Sequence, residues 1–416
     1  GILIIVFGFI LVMLCNFSPP IDFDDPLLGL FVLIRSVLLG IVLSLPYIAT
    51  RLIKRRRTDF LSTLIFPFAV VGIYFLESIY GPFDGVIIFY AYTQYGNMPL
   101  VQLLSIGGPW LLIFLLSWFS SAACWFWEKD FNFAETKKGI SIFVGIAVIL
   151  VFYGGYRISP FSHDYENKSV RIAAAVLPSE TLEKVGFIQL MNERLFSPME
   201  ETLQVIENTT KQAALSGAKI IVFQEFSFIV LEKEEQKAIQ KLKRMARENK
   251  IYMCVCYVSM PELLPGEHEY SFGIMELSDE EEEGRNMAIL IDDSGEILTE
   301  YQKTNMVFGE DNWVLRGSGK VPVVHTPYGK VGVVICRDME FSDYMRKAKN
   351  ADIVLAPSYE AVKSLSITYA QMLRSVENGF SFVRACGNGL SVAVDYNGKI
   401  LSSQNNFTSS NNIMYA

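Results

Sequence analysis

The chain has 416 residues, 51% of them hydrophobic and only 19% charged, with a mean hydropathy of +0.30. That is too apolar for an ordinary soluble protein, and a net charge of −8 with no basic, aromatic-interleaved patch argues against a nucleic-acid partner. Three scattered histidines (His163, His268, His325) and six cysteines without framework spacing or a C-x-x-C pair speak against a zinc site.

The apolar excess lies toward the start. Residues 1–156 read as a transmembrane helical domain and residues 157–416 as an α/β domain. A spanning helix needs about 20 apolar residues, because only an internally hydrogen-bonded segment crosses ~30 Å of hydrocarbon. Candidate spans are residues 1–15, 27–49, 60–76, 100–127 and 139–156. One apolar block followed by four more does not fit a signal peptide. The lack of an initiator methionine implies residues ahead of Gly1, and the end at "NNIMYA" implies a chain cut short or one without a closing membrane helix. The loop "RLIKRRRTD" carries Arg51, Lys54, Arg55, Arg56 and Arg57, so the positive-inside bias sets it in the cytoplasm. Residues 81–100 hold Pro82, Asp84, Gln94, Asn97 and Pro99 and read as re-entrant or interfacial, which leaves the α/β domain outside the cytoplasm; as a span, the segment would put that domain in the cytoplasm.

Short strands and helices then alternate. "VRIAAAVLP" (170–178), "AKIIVFQEFS" (218–227), "YMCVCYVSM" (252–260) and "ADIVLAPS" (351–358) predict strands, and residues 191–215, 233–249 and 368–379 predict helices. "NMAILIDDSGEILTEYQK", "VPVVHTPYGKVGVVICRD" and "LSVAVDYNGKILS" predict hairpins around Asp-Ser-Gly, Tyr-Gly and Asn-Gly. Cys254 and Cys256 alternate with Val255, so both face one side of a strand as core rather than as metal ligands. The acidic run 279–283 reads as a solvated loop. The mixture predicts two sheets packed inside with helices outside.

Three polar residues each end a strand. Glu225 follows "IIVFQ", Lys303 follows "ILTEYQ", and Cys336 follows "VGVVI". Crevices in open α/β sheets lie beyond the carboxyl ends of strands. A thiolate to attack a carbonyl carbon, a carboxylate to take its proton and an ammonium to stabilise the oxyanion make an acyl-transfer site. Singly they read as a polar strand end, a surface lysine and an inert core thiol. Only the joint pattern favours chemistry.

"GEILTEYQKTN" and "YGKVGVVICRD" resemble the Lys and Cys motifs of the nitrilase (carbon–nitrogen hydrolase) superfamily, whose members use a Glu-Lys-Cys triad on an αββα sandwich. With several membrane helices ahead of it, the chain is similar to one bacterial branch, the apolipoprotein N-acyltransferases. "PLVQLLSIGGPWLLIFLLSWFSSAA" looks like that branch's Gly-Gly helix, and "FLESIYGPFDG" like its preceding acidic-aromatic segment. "VFGED" looks like its Phe-Gly-Glu motif. The resemblance implies an acyltransferase in the bacterial inner membrane, its α/β domain extracytoplasmic, with Cys336 as nucleophile, Glu225 as base, Lys303 as oxyanion partner and Glu310 supporting the lysine. It implies a phospholipid acyl donor, a diacylglyceryl-cysteine acceptor at a lipoprotein N-terminus, and no metal or organic cofactor. The chain departs from the branch at Arg337, where an aromatic is usual, and in the stretch between Lys303 and Glu310, one residue shorter and lacking the usual proline. It also departs at "FQE" in place of Trp-Pro-Glu and at the polar Ser358 and Glu360. The alternatives are a membrane-tethered amidase that resolves the thioester with water, and a binding module that keeps the fold without its chemistry.

Overall fold

A computed structural model describes residues 3, 6–11, 26–54, 58–80, 90–162, 169–178, 199–261, 283–307, 309–360, 366–409 and 412–416. The chain divides into two compact units, Gly1–Ser162 and His163–Ala416.

The first unit is helical: α1 (Pro26–Lys54), α2 (Ile65–Tyr80), α3 (Leu104–Glu128) and α4 (Phe133–Arg157), with short helical turns at Phe60–Leu64, Tyr90–Gln94 and Met98–Val101. Among the described residues, four segments are long and apolar enough to cross a membrane: Ser36–Lys54, Phe60–Tyr80, Leu104–Glu128 and Phe133–Arg157. The expected block at residues 1–15 is helical over 6–11 and otherwise lies largely outside the described residues. Residues 81–89 of the re-entrant reading also fall outside them; residues 90–100 hold two short helical turns.

Two local features differ from the sequence reading. Block 100–127 is not one helix, because Gly107 (φ −132°, ψ 18°) and Gly108 (φ 58°, ψ −158°) leave helical geometry just before Pro109. Only glycine adopts the Gly108 conformation without strain. The span expected at 139–156 starts earlier, at Phe133. Asn132 caps α4 by accepting the Glu135 amide at 3.3 Å, which places Lys137 and Lys138 inside the helix. Polar contacts tie the helices together: Trp118 Nε1 donates to Thr63 Oγ1 at 3.0 Å, and Lys54 pairs with Glu128 at 2.7 Å.

The second unit is built on two sheets. The first contains β1 (Ile172–Ala175), β2 (Ile220–Phe223), β3 (Ile229–Leu231), β4 (Tyr252–Met260), β5 (Arg285–Ile291), β6 (Ile297–Gln302) and, last in the chain, β13 (Ile413–Tyr415). Its order is β13-β1-β2-β4-β5-β6, with β3 also paired to β4. The second sheet holds β7 (Val323–Thr326), β8 (Gly329–Val333), β9 (Ile353–Tyr359), β10 (Ser381–Gly387), β11 (Leu390–Val394) and β12 (Ile400–Asn405), in the order β12-β11-β10-β9-β8-β7. Parallel pairs form the centre of each sheet and antiparallel hairpins its edges. The Asp-Ser-Gly hairpin forms as expected: Asp292 Oδ1 accepts the Ser294 and Glu296 amides, and Gly295 takes φ 86°.

Helices α5 (Met199–Leu215) and α6 (Glu232–Asn249) accompany the first sheet and α7 (Ser366–Asn378) the second. The expected start of α5 at residue 191 lies outside the described residues. Strand alternation explains the layering. Val222, Cys254, Cys256 and Leu290 face inward and meet Val333, Ile335, Leu355 and Val383 of the other sheet. Their neighbours Phe223, Val255, Tyr257 and Ile289 face outward, against Leu203, Ile206, Leu242 and Met245 of the helices. Both faces are buried, giving an αββα sandwich. At roughly 1.5–3 kcal/mol for each large apolar side chain, this core is deep enough to tolerate buried charge at one rim.

Candidate active site

The rim follows from strand direction. β2 and β4 are parallel, and β6 runs the same way because it pairs antiparallel to β5, itself antiparallel to β4. The carboxyl ends of β2 and β6 therefore share one edge, which brings Glu225 and Lys303 together. The amino end of β5 falls on that edge too, and it carries Asn286. In the second sheet, parallel β8 and β9 end near Cys336 and Tyr359. The Glu225 amide donates to the Ser358 carbonyl at 3.2 Å, joining the two sheets at this edge.

Lys303 Nζ lies 2.8 Å from Glu225 Oε1 and 2.7 Å from Glu310 Oε2, and all three residues are buried. Asn286 Nδ2 donates to Glu225 Oε1 at 2.9 Å and Glu310 Oε1 at 3.1 Å, so one amide bridges both carboxylates. Its Oδ1 accepts the Cys256 thiol at 3.4 Å, which fixes the amide's orientation. The Val307 amide donates to Glu310 Oε2 at 3.0 Å. Removing an ion from water costs several kcal/mol. Here that cost is met by two ion pairs and three further hydrogen bonds to the carboxylates.

Cys336 begins a 3₁₀ turn (Cys336–Glu340) with φ 47°, unusual for a residue with a β-carbon. Phe226, directly after Glu225, has φ 56°. Two strained residues at the two halves of one site are the pattern expected where geometry is set for chemistry. The Cys336 thiol donates to the Tyr359 carbonyl at 3.5 Å, and its own carbonyl accepts Gln371 Nε2 at 3.4 Å.

Charge and burial act in opposition. Burial pushes the Cys336 thiol well above its usual range; Glu225 adds to that and Lys303 opposes it. Burial likewise raises the Glu225 carboxyl, against the pull of Lys303. Burial alone would lower the Lys303 ammonium, but the carboxylates of Glu225 and Glu310 hold it well above its ordinary value. The resting state is thus a protonated thiol beside a fixed cation and a carboxylate with raised proton affinity. A thiol in this setting would serve as a nucleophile only through activation by its neighbours, not as a stored thiolate.

All four expected residues occupy this rim. The sequence reading missed Asn286, whose signal was a polar residue opening the apolar run "NMAILI" at the amino end of an antiparallel strand. It also missed Asp338, buried and bonded to both sheets. The polar Ser358 and Glu360 have structural partners: Ser358 receives the Glu225 amide, and Glu360 pairs with the buried Arg384.

The chain matches the carbon-nitrogen hydrolase family over residues 184–416. It is 24% identical over 251 residues to the probable hydrolase nit2 of Schizosaccharomyces pombe, covering 52% of this chain and 85% of that protein. It is 22% identical over 401 residues to the apolipoprotein N-acyltransferase of Geobacter metallireducens, covering 88% of this chain and 71% of that one. Among solved structures, an amidase from Nesterenkonia sp. aligns at a TM-score of 0.46 with 20% identity, covering 59% of this chain and 89% of its own. Since the family match takes in more than half of its residues, the chain belongs to the carbon-nitrogen hydrolase family.

Proposed function

We propose that this protein is a membrane N-acyltransferase that moves an acyl chain from a phospholipid to the α-amino group of a diacylglyceryl-cysteine at a lipoprotein N-terminus. The observation carrying this reading is the extent of similarity to the Geobacter metallireducens enzyme. Coverage of 88% of the chain cannot be reached without most of the helical unit, whereas the nit2 similarity takes in 52%. Four helices long and apolar enough to span a bilayer add to it, because both substrates are anchored there.

In this reading the Cys336 thiol passes its proton to Glu225 and attacks the ester carbonyl. The S–C bond forms, Lys303 Nζ stabilises the oxyanion, and the ester C–O bond breaks as the lysophospholipid oxygen takes the proton from Glu225. The acceptor amine then attacks the thioester. An amide bond forms, the C–S bond breaks, and the proton lost by nitrogen restores the thiol through Glu225. Glu310 and Asn286 keep the lysine and base in register. The catalytic domain, residues 157–416, lies on the extracytoplasmic side of a bacterial inner membrane.

The test is to incubate the full chain in detergent with phosphatidylethanolamine and a diacylglyceryl-cysteine peptide, then weigh the peptide. It gains one acyl mass, and Cys336→Ala lowers the rate by about a thousandfold or more, as expected for a lost nucleophile. A peptide of unchanged mass, with the donor hydrolysed to free fatty acid by a Cys336-dependent reaction, would replace acyl transfer by hydrolysis.

A further inference from the structure

Two departures from the family pattern meet in space. The stretch between Lys303 and Glu310 is short, and Arg337 stands where an aromatic is usual. The Arg337 guanidinium donates to the Met306 carbonyl, within that stretch. Next to it, Asp338 Oδ1 accepts the Asn305 amide at 2.9 Å and Asn305 Nδ2 at 2.8 Å. Asp338 Oδ2 accepts Tyr301 Oη at 2.5 Å and the Ile335 amide at 3.0 Å. Two consecutive residues after the nucleophile therefore grip two consecutive residues after the lysine, across the join between the sheets. The guanidinium is itself steadied, 5.6 Å above the Phe341 ring and 3.7 Å from Glu340 Oε2.

The grip has a direct route to the reacting groups. Val307, next to the tethered Met306, donates to Glu310 Oε2, and the same oxygen pairs with Lys303 Nζ. We propose that Arg337 is a positioning residue whose tether on the Met306 carbonyl holds Glu310 against Lys303, and Lys303 against the Cys336 thiol. An unsubstituted aromatic ring at this position has no donor for that carbonyl. The arginine compensates for the shortened stretch by reaching it. The role rests on Cys336, Lys303 and Glu310 forming the reaction centre and is independent of the acceptor.

The test follows alkylation of Cys336 by iodoacetamide against pH in the full-length protein, read at the Cys336 peptide because the exposed thiol of Cys124 reacts too. If the tether acts, Arg337→Gln slows labelling at neutral pH about tenfold, as expected for a small displacement of a positioned group. Its pH midpoint moves up by roughly one unit, because a displaced ammonium no longer favours the thiolate. Arg337→Lys, whose donor reaches nearly as far where the glutamine amide falls short, recovers most of the loss. A merely structural role would lower the unfolding temperature and leave the midpoint of the folded enzyme unmoved. If Arg337→Gln does not fold, Arg337→Met, which keeps the stem on Phe341 without a donor, must show the same shift. Wild-type rate and midpoint in folded Arg337→Gln or Arg337→Met overturn the tether while leaving the reaction centre standing. An unlabelled Cys336 in the wild type overturns the centre and the tether together.

Discussion

Cys336 differs from the other buried thiols in its surroundings more than in its burial. Cys254, Cys256 and Cys386 are as fully enclosed or more so, and Cys256 also feels Glu225 and Lys303, but of the four it is Cys336 that lies on the turn after β8, at φ 47°. Four residues on, Glu340 is buried, and burial pushes its carboxyl up to about 7 despite the Arg337 guanidinium beside it. The sign follows from linkage. A carboxyl whose folded value is raised stabilises the fold fully below its unfolded value and loses that contribution as pH rises through the folded one. Wild-type stability should thus fall by roughly 3 kcal/mol between about pH 5 and pH 8 through this group alone. Glu340→Gln should flatten that decline, and unfolding midpoints measured across the range check it. Parallel curves for the two proteins would remove Glu340 from the account.

At the scale of elements, hairpins and strands followed their sequence signals closely. "YMCVCYVSM" is β4 over the same nine residues, and the three turn signals each sit between antiparallel strands. β3 and β13 went unnoticed because three residues are too few for a period to show. β13 forms by pairing with β1, near the start of the second unit. The Gly107–Gly108 break was hidden for the opposite reason, since apolarity runs unbroken through it. Gly108→Ala forces a β-carbon into a conformation reserved for glycine, so it should cost about 1–3 kcal/mol. A matching fall in the thermal midpoint of the detergent-solubilised protein is the readout. An unchanged midpoint would mean that α3 runs straight.

At the scale of the whole molecule, a unit with four helices apolar enough to span a bilayer among its described residues and an α/β unit serve one proposed reaction on lipid-anchored substrates. The proposed orientation takes Arg51 and Lys54, in the last turn of α1, as the positive end that would face the cytoplasm. In a Cys124→Ser background, Lys211→Cys on exposed α5 should label with an impermeant maleimide in intact spheroplasts. Arg51→Cys should label only after permeabilisation. The reverse pattern would put the catalytic domain in the cytoplasm.

By itself the sequence determined the apolar blocks, the strand and helix periods, and the three residues Glu225, Lys303 and Cys336. Each of these is written in local pattern: hydropathy over one segment, alternation along one strand, a polar residue where that alternation stops. The tertiary structure alone decided that Asn286 bridges two carboxylates, that Asp338 ties the sheets together, and that Arg337 reaches Met306. Those contacts join residues 24 to 61 positions apart, so no local period encodes them. Arg337 shows the difference most clearly. In the sequence it is a misplaced charge, and in the fold it has a carbonyl to hold.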